Sequence, residues 1–308
     1  MDAHLSSERV TVVGAGIAGA ACALALRAAG VDVVVRERAP TPGGRMAAPV
    51  LHGRRVDVGA AYFTVADDNF AGVVSGWQER GLVRAWSDTI DVIGGDSTPG
   101  PMRWSAPDGL ASLVRDLLAG VDVSFCDAVE SVPGRPVAFA APDPQVARVV
   151  GPLPGFAWVD YDPAIAVVAG WESRRWTMPN AAFVNDDPDI ALIVDDGARR
   201  GDGAPVLVVY STPSLARRHL AAPQDAVPTV LNALRRTLGV SLTPAWTRVQ
   251  RWTFAKPAGT HGAASYALTA DLVGVCGDSW CPSGSPRVES AWLSGHRLGT
   301  ELARQIDH

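Results

Sequence analysis

The sequence contains few of the residues on which several common kinds of catalytic and metal site depend. Its 308 residues include four cysteines, six histidines and one lysine, Lys256. The cysteines lack metal-ligand spacing, and the histidines form no triad-like pattern and accompany no Gly-x-Ser-x-Gly elbow. The sequence therefore argues against a serine hydrolase, and we expect no bound metal.

A basic surface and a membrane segment are also missing. The formal net charge of -5, without a basic cluster, argues against binding of nucleic acid. The apolar stretch 10–35 is broken by glycines, Arg27 and Asp32, so it fits strand, turn, helix and strand better than a membrane span. Residues 1–9 lack the basic start and apolar core of a secretory signal. We expect a cytoplasmic protein with reduced thiols.

A glycine-rich loop is the first positive signal. A predicted strand, 10–13, runs into Gly14-Ala15-Gly16-Ile17-Ala18-Gly19, and a predicted helix over 18–29 follows and ends at Gly30. In such a loop Gly14 permits the turn, Gly16 lets the main chain approach a pyrophosphate, and Gly19 lets helix and strand pack closely. The pyrophosphate then lies at the positive end of the helix. The loop indicates dinucleotide binding.

An acidic residue and a second glycine cluster narrow this interpretation to a flavin. The second parallel strand is predicted over 31–35, and Glu37 lies just past its end, where an acid binds an adenosine ribose and disfavours a 2′-phosphate. Gly43-Gly44-Arg45 follows a few residues later. The two clusters together predict FAD as the cofactor.

The rest of the chain alternates between segments whose pattern is typical of the nucleotide-binding domain and segments whose pattern is typical of antiparallel sheet. We predict helices over 69–80, 110–118, 225–238 and 288–306, strands over 121–125, 136–140, 165–169, 206–210 and 272–278, and a loop over 94–101. The predicted fold class is α/β: a discontinuous Rossmann-type FAD-binding domain with an antiparallel α+β substrate domain. The FAD-binding domain is assigned to 1–75, 106–155 and 265–308, and the substrate domain to 76–105 and 156–264.

Further motifs carry a family resemblance over nearly the whole chain. They are Asp57-Val58-Gly59-Ala60-Ala61-Tyr62-Phe63-Thr64, Arg251-Trp252, Cys276-Gly277-Asp278, Arg287-Val288-Glu289 and Ala291-Trp292-Leu293-Ser294-Gly295. With the glycine clusters and Glu37, they resemble bacterial renalase-type flavoproteins of the flavin amine oxidase superfamily. The resemblance implies an FAD-dependent oxidoreductase that takes hydride from 2- or 6-dihydro-NAD(P) and passes electrons to O2, giving H2O2.

The resemblance also implies a set of cofactor-binding residues. It assigns the pyrophosphate to the first glycine loop, the ribose to Glu37, the isoalloxazine to the segment 59–63, and the flavin's pyrimidine edge to the start of the last helix. The full set is Gly14, Gly16, Ile17, Ala18, Gly19, Glu37, Arg38, Gly43, Gly44, Arg45, Met46, Gly59, Ala60, Ala61, Tyr62, Val129, Gly277, Asp278, Arg287, Val288, Glu289 and Ala291.

The C-terminal motif departs from the family pattern. The family runs from Gly-Asp-Trp-Cys through a glycine pair into Arg-Val-Glu-Gly, whereas here Ser279 precedes Trp280, residues 282–286 lengthen the loop, and Ser290 replaces the glycine. Because this loop lies against the flavin in the family, the departure bears on the substrate more than on the cofactor.

Catalytic candidates are few, because hydride loss from a dihydropyridine needs orientation and an electron sink and does not need a general base. Tyr62 and Phe63 either line an aromatic slot or pack in the core, and Trp252 is a candidate to close such a slot. Lys256 either acts near the flavin, as a lysine does in amine oxidases, or is a surface residue before Pro257.

Two other patterns are interpreted as structural. Asp195-Asp196 is interpreted as a solvated turn before Gly197, and Cys276 and Cys281 as packed or loop thiols that form no covalent flavin link.

Two alternative functions stay open. The first alternative function is a flavin amine oxidase or desaturase acting on a small molecule. The second is an FAD-bound partner protein without turnover.

Overall fold

A computed structural model describes residues 9–153, 156–239 and 243–306. The strands are β1 (Val10–Val13), β2 (Val33–Glu37), β3 (Val50–Leu51), β4 (Arg54–Arg55), β5 (Arg84–Thr89), β6 (Asp91–Ile93), β7 (Pro99–Ser105), β8 (Asp122–Phe125), β9 (Val137–Phe139), β10 (Tyr161–Gly170), β11 (Ala181–Val184), β12 (Ile190–Asp195), β13 (Val206–Ser211), β14 (Trp246–Pro257), β15 (Ala267–Leu268) and β16 (Val273–Val275). The helices are α1 (Ile17–Ala28), α2 (Asp68–Glu79), α3 (Ala111–Leu117), α4 (Asp143–Val150), α5 (Asp196–Arg200), α6 (Pro213–His219), α7 (Val227–Leu238) and α8 (Val288–Ile306), with short 3₁₀ turns at Gly44–Met46 and Pro223–Ala226.

The chain divides into two compact units. Unit 1 comprises the described residues within 9–44, 111–161 and 257–306, and unit 2 comprises the described residues within 45–110 and 162–256. The sequence assigned 45–75 to the nucleotide domain, whereas these residues pack in unit 2. The physical reason is that Val56 and Val58, both buried, belong to an apolar core that also includes Val168 and Val208 of the second sheet.

Unit 1 contains a six-stranded sheet in the order β15-β16-β9-β1-β2-β8. All neighbouring pairs from β16 to β8 are parallel, with Val10 opposite Val33 and Thr11 opposite Val137, and only β15 runs antiparallel. Parallel strands need crossover connections, which makes this the Rossmann-type arrangement that the sequence predicted. The α/β fold class is confirmed.

Helices α1 and α8 pack closely against each other in unit 1. A Cβ added at Gly295 would overlap the carbonyl of Ala18, and one added at Gly299 would overlap the carbonyl of Cys22. These glycines therefore let the two helices approach at main-chain distance. The close packing fixes α1, whose N-terminus is the predicted phosphate-binding end.

Unit 2 contains a second six-stranded sheet in the order β14-β10-β13-β12-β11-β6. The pairs β10·β13, β12·β13 and β11·β12 are antiparallel, and β6 joins β11 in parallel. Buried side chains on both faces of β10 and β13 pack in two separate apolar cores, and α7 contributes Val230 and Leu234 to one of them. This is the antiparallel α+β domain expected from the sequence, apart from the parallel edge pair.

Several element boundaries differ from the predictions. Glu37 is the last residue of β2 and does not lie beyond it, β7 begins at Pro99 inside the predicted loop 94–101, and α4 was not predicted. The sequence around α4 is rich in proline and alanine, but Pro142 and Pro144 fall at its first turn, where a missing N–H costs no helical hydrogen bond. Helix α8 has the predicted bounds.

Within the described ranges, no helix combines the length and apolarity that a membrane span requires. All four cysteines are free; Cys22, Cys276 and Cys281 are buried and Cys126 is exposed. Burial raises the pKa of the Cys22 thiol to about 12 and also raises that of Cys276. These buried thiols are therefore protonated and unreactive near neutral pH.

Candidate functional site

The glycine loop of unit 1 leaves open space at the N-terminus of α1. Gly14 has φ of 110°, and a Cβ there would lie 2.6 Å from the carbonyl oxygen of Ala140. A Cβ on Gly19 would overlap the carbonyl oxygen of Gly14, whereas one on Gly16, the N-cap of α1, would meet nothing within 4 Å. The first-turn N–H groups of α1 have no helical partner, so the space beside Gly16 suits an anionic group.

The carboxylate of Glu37 is buried beside this loop and holds it in place. Its Oε2 accepts a hydrogen bond of 2.8 Å from the N–H of Ala15, and its Oε1 accepts one of 2.8 Å from the N–H of Ala39. Each carboxylate oxygen keeps a second lone pair that can accept a ribose hydroxyl. Glu37 therefore combines a structural role in the loop with the capacity to bind a ribose.

The second glycine cluster packs directly on the first. The N–H of Gly43 donates to the carbonyl of Ala15 over 2.9 Å, and a Cβ on Gly44 would lie 3.5 Å from the Cα of Gly16. The two clusters of the sequence are therefore neighbours in unit 1, which sequence spacing alone did not establish.

Four further predicted site residues of unit 1 differ in their exposure to solvent. Arg38 is exposed, while Val129 is half-buried and packs against the apolar core that includes Phe139 and Val275. Ile17 and Ala18 are buried in the first turn of α1, so only their main-chain groups are available to a ligand at this helix end.

The end of β16 brings a second set of predicted residues into unit 1. Asp278 is buried, and its Oδ1 accepts a 3.1 Å hydrogen bond from the hydroxyl of Tyr161. The N–H of Gly277 donates to Oγ of Ser294 over 3.0 Å. The structure thus fixes the Gly-Asp turn from two sides. The role of Tyr161 was not predicted, because nothing in the sequence pairs it with a residue 117 positions away.

The start of α8 is held by the serine that departs from the family pattern. Ser290 Oγ accepts from the N–H of Arg287 over 2.8 Å and donates to the same residue's carbonyl over 2.8 Å. Arg287 Nε lies 3.4 Å from Oε2 of the buried Glu289. A hydroxyl here satisfies main-chain groups at the helix start, as a capping side chain does. Val288 and buried Ala291 complete this turn.

The segment 58–60 of unit 2 contacts both Arg45 and Trp252. A Cβ on Gly59 would overlap the carbonyl of Arg45, and that carbonyl accepts a 2.7 Å hydrogen bond from the N–H of Ala60. Trp252 Nε1 donates to the carbonyl of Val58 over 2.7 Å, and its ring would lie 3.3 Å from a Cβ on Gly59. The structure therefore brings together residues that are about 190 positions apart in the chain.

The other predicted catalytic side chains lie in different surroundings. Tyr62 is half-buried, with the guanidinium of Arg103 5.4 Å from its ring centre. Phe63 is buried, and its ring meets Phe70 and Trp77 edge-on at 5.9 and 6.3 Å. Lys256 is exposed, and Met46 is buried at the end of a 3₁₀ turn. Their assignments as site residues stay predictions.

The interpretation of Asp195-Asp196 as a solvated turn was wrong. Both side chains are buried. Asp195 accepts from Trp176 Nε1 over 2.7 Å and from the N–H of Ala198 over 2.8 Å, so it caps α5 from inside the fold. The pattern Asp-Asp-Gly is common in turns, and only the tertiary structure supplies the cations that make its burial affordable.

Asp196 lies at the centre of a buried charge network that the sequence did not reveal. Its carboxylate pairs with Arg199, with Arg200 Nε at 3.3 Å and with Arg54 Nη1 at 2.5 Å. Burial alone would raise the pKa of Asp196, but the three guanidinium groups outweigh it and hold the pKa below its ordinary value. Arg200 also pairs with Asp57 at 2.9 Å.

Within the described ranges, no group of three or more histidine, cysteine, aspartate or glutamate side chains could hold a metal ion. The acidic residues of unit 2 described above are paired with arginines. Two groups of predicted residues suit ligand chemistry, and each is described within its own unit: the glycine loop with Glu37 in unit 1, and the segment 59–62 with Arg45 and Trp252 in unit 2.

Residues 12–75 match the family described as an NAD(P)-binding Rossmann-like domain. The chain is 49% identical over 61 residues to hydroxyneurosporene desaturase of Rubrivivax gelatinosus, which is 20% of this chain and 12% of that protein. It is 46% identical over 69 residues to phytoene dehydrogenase of Streptomyces griseus, which is 21% of this chain and 14% of that protein. The chain therefore spans only a small part of these relatives.

Solved structures extend the likeness to the whole fold. Cyclohexylamine oxidase from Brevibacterium oxydans IH-35A superposes with a TM-score of 0.76 and 14% identity, covering 97% of this chain and 99% of that chain. Putrescine oxidase bound to putrescine gives a TM-score of 0.70 and 18% identity, covering 97% and 98%. The chain shares the fold of these oxidases.

Proposed function

We propose that this protein is an FAD-dependent oxidoreductase of the amine oxidase and desaturase type. The observation that carries the proposal is the glycine loop, where Glu37 is bonded to the N–H of Ala15 and the space beside Gly16 is open. The fold shared with two oxidases supports it, as does the local likeness to a desaturase and a dehydrogenase.

The residues present fit FAD. The open space at Gly16 would accept the pyrophosphate, and the N-terminus of α1 would supply N–H donors and a positive dipole end. Glu37 would bind the adenosine ribose hydroxyls, and its negative charge would disfavour a 2′-phosphate. Asp278 and the start of α8 complete the set in unit 1. FAD, when bound, supplies a two-electron acceptor for hydride and a route for those electrons to O2.

In unit 2, the segment 59–62 and Trp252 would lie beside the isoalloxazine, as the family resemblance implies. The indole of Trp252 is anchored through Nε1 to the carbonyl of Val58, so its plane is set by the protein. Tyr62 is half-buried and offers an aromatic face for stacking.

We propose isomeric dihydronicotinamides, 2- or 6-dihydro-NAD(P), as the substrate class, with O2 as acceptor and H2O2 as product. The support is the renalase-type motifs that extend over nearly the whole chain, from Gly14 through Trp252 to Glu289. A planar dihydropyridine also needs only the stacking and orientation that the residues above supply.

Amine oxidation or desaturation of another small molecule is the second candidate. It is favoured by the fold shared with cyclohexylamine oxidase and putrescine oxidase and by the desaturase-like N-terminal segment. The loop after Asp278 is longer than in renalases, and Ser290 caps α8 where the family has glycine. Both differences bear on which substrate is accepted.

Anaerobic stopped-flow absorbance distinguishes these candidates. The purified flavoprotein is mixed separately with 2- and 6-dihydro-NAD(P), ordinary NADH, a panel of amines and phytoene. Rapid bleaching of the flavin band by the isomeric dihydronicotinamides alone supports the first candidate, and bleaching by amines or phytoene alone supports the second. No reduction by any donor would favour an FAD-bound partner protein without turnover.

A further inference from the structure

Arg199, in α5, is a side chain that bonds to both ends of the segment 57–61, while Trp252 bonds to the carbonyl of Val58 and Tyr210 also reaches the carbonyl of Asp57. The guanidinium of Arg199 is fully buried. Nη1 donates to the carbonyl of Ala61 over 2.9 Å, and Nη2 donates to the carbonyl of Asp57 over 3.1 Å and pairs with Asp196. One planar group therefore spans two main-chain oxygens four residues apart.

The neighbouring Arg200 offers a contrast within the same helix. It is nearly as buried and shares the carboxylate of Asp196. Its other donors reach the carboxylate of Asp57 at 2.9 Å and the carbonyl of Pro107 at 2.9 Å. Arg200 thus supports the charge network without touching the main chain between residues 57 and 62.

The other side of the segment is held by main-chain bonds. The N–H of Val58 donates to the carbonyl of Ala47 over 3.1 Å, and the N–H of Ala60 donates to the carbonyl of Arg45 over 2.7 Å. The carbonyls of Asp57 and Ala61 point to Arg199. The segment is therefore held by hydrogen bonds from two directions.

Burying an arginine is costly, and apolar packing of equal volume holds a core at least as well. The planar guanidinium holds two carbonyl oxygens at a fixed distance from each other, and apolar packing does not do this. We propose that Arg199 is a positioning residue, whose guanidinium sets the main-chain conformation of residues 57–62 and thereby the face that this segment presents to the isoalloxazine. The part concerning the ring rests on the proposed function.

The test compares Arg199→Lys with Arg200→Lys in the full-length protein. Lysine keeps the positive charge but cannot span two carbonyls, whereas at position 200 it can still pair with Asp57. In the apoprotein, hydrogen exchange of the peptide covering 57–63 should be about tenfold or more faster in Arg199→Lys and unchanged in Arg200→Lys. In the flavoprotein, Arg199→Lys should shift the visible absorbance and circular dichroism of FAD and weaken its binding about tenfold.

Each outcome decides the proposal. Equal exchange in the two variants, or an unaltered flavin spectrum in Arg199→Lys, would overturn it. If Arg199→Lys does not fold, Arg199→Gln is measured in the same way, because its amide reaches only one carbonyl. Failure of both to fold, with Arg200→Lys folded, would assign Arg199 to core stability and overturn the positioning role. If the native protein binds no FAD, the proposed function fails separately, and the apoprotein exchange still reports on the positioning of the segment.

Discussion

Replacing Gly16 or Gly19 by alanine separates cofactor binding from folding within one loop. A methyl group on Gly16 meets no atom within 4 Å, so Gly16→Ala should fold normally. The loss of a glycine N-cap and the gain from a less flexible unfolded chain are each below about 1 kcal/mol and of opposite sign. The methyl group would, however, occupy the space through which a pyrophosphate approaches the main chain. We expect FAD to bind about 10- to 100-fold more weakly, equivalent to about 1.4–2.7 kcal/mol.

Gly19→Ala is the matched control, because the same methyl group there overlaps the carbonyl of Gly14. Overpacking of this kind costs about 1–3 kcal/mol, which corresponds to a fall in Tm of about 2–5 °C for a chain of this size. The assays are differential scanning calorimetry of both apoproteins and FAD titration followed by flavin fluorescence. A Gly16→Ala protein with native FAD affinity, or with a Tm as low as that of Gly19→Ala, would refute the assignment of the pyrophosphate to Gly16.

Three further predictions follow from contacts in the two units. Glu37→Gln should weaken FAD binding tenfold or more and lower Tm by a few degrees. The reason is that the amide cannot accept hydrogen bonds from both Ala15 and Ala39, and one charged hydrogen bond is worth about 1.5–3 kcal/mol. A native FAD affinity in a titration would contradict this prediction. Iodoacetamide at pH 8 should label Cys126 alone in the native protein, because the other cysteines are buried, and mass spectrometry that finds Cys22 labelled would disprove this. Asp196→Asn should lower the free energy of unfolding by about 3–5 kcal/mol at pH 7, since buried arginines lose their carboxylate. Because the folded-state pKa of Asp196 lies below the ordinary value of an aspartate, its stabilisation is fully present above that ordinary value and is lost as the pH falls through the folded-state pKa, so urea denaturation should show the two proteins converging at low pH.

The buried charges of unit 2 show why stability and site geometry are linked in this fold. Asp57 and Asp196 are buried among arginines of α5, and one of these arginines, Arg199, also donates to the main-chain carbonyls of Asp57 and Ala61. A mutation at Arg199 is therefore expected to change both the free energy of unfolding and the segment proposed to face the cofactor, whereas a mutation at Arg200 is expected to change the free energy of unfolding alone. The Arg199 and Arg200 variants separate these two effects.

The sequence by itself determined the features that depend on local chemistry. The turn at Gly14, the helix that follows, the acid at the end of β2 and the long amphipathic α8 were all predicted, because glycine freedom and apolar periodicity act over a few residues. The discontinuous Rossmann-type unit was also predicted, because the sequence of β16 near the C-terminus is as apolar as that of β1. The structure places β16 in the same sheet.

Only the tertiary structure decided which distant residues meet. Trp252 anchors Val58, Tyr161 bonds to Asp278, and Asp196 is buried among arginines, although its sequence context is that of a turn. The boundary at residue 44 was likewise decided by packing, because the apolar residues after it are buried in unit 2. Long-range hydrogen bonds and ion pairs leave no periodic trace in a single sequence, and the stability of a buried charge depends on partners that only the fold brings within reach.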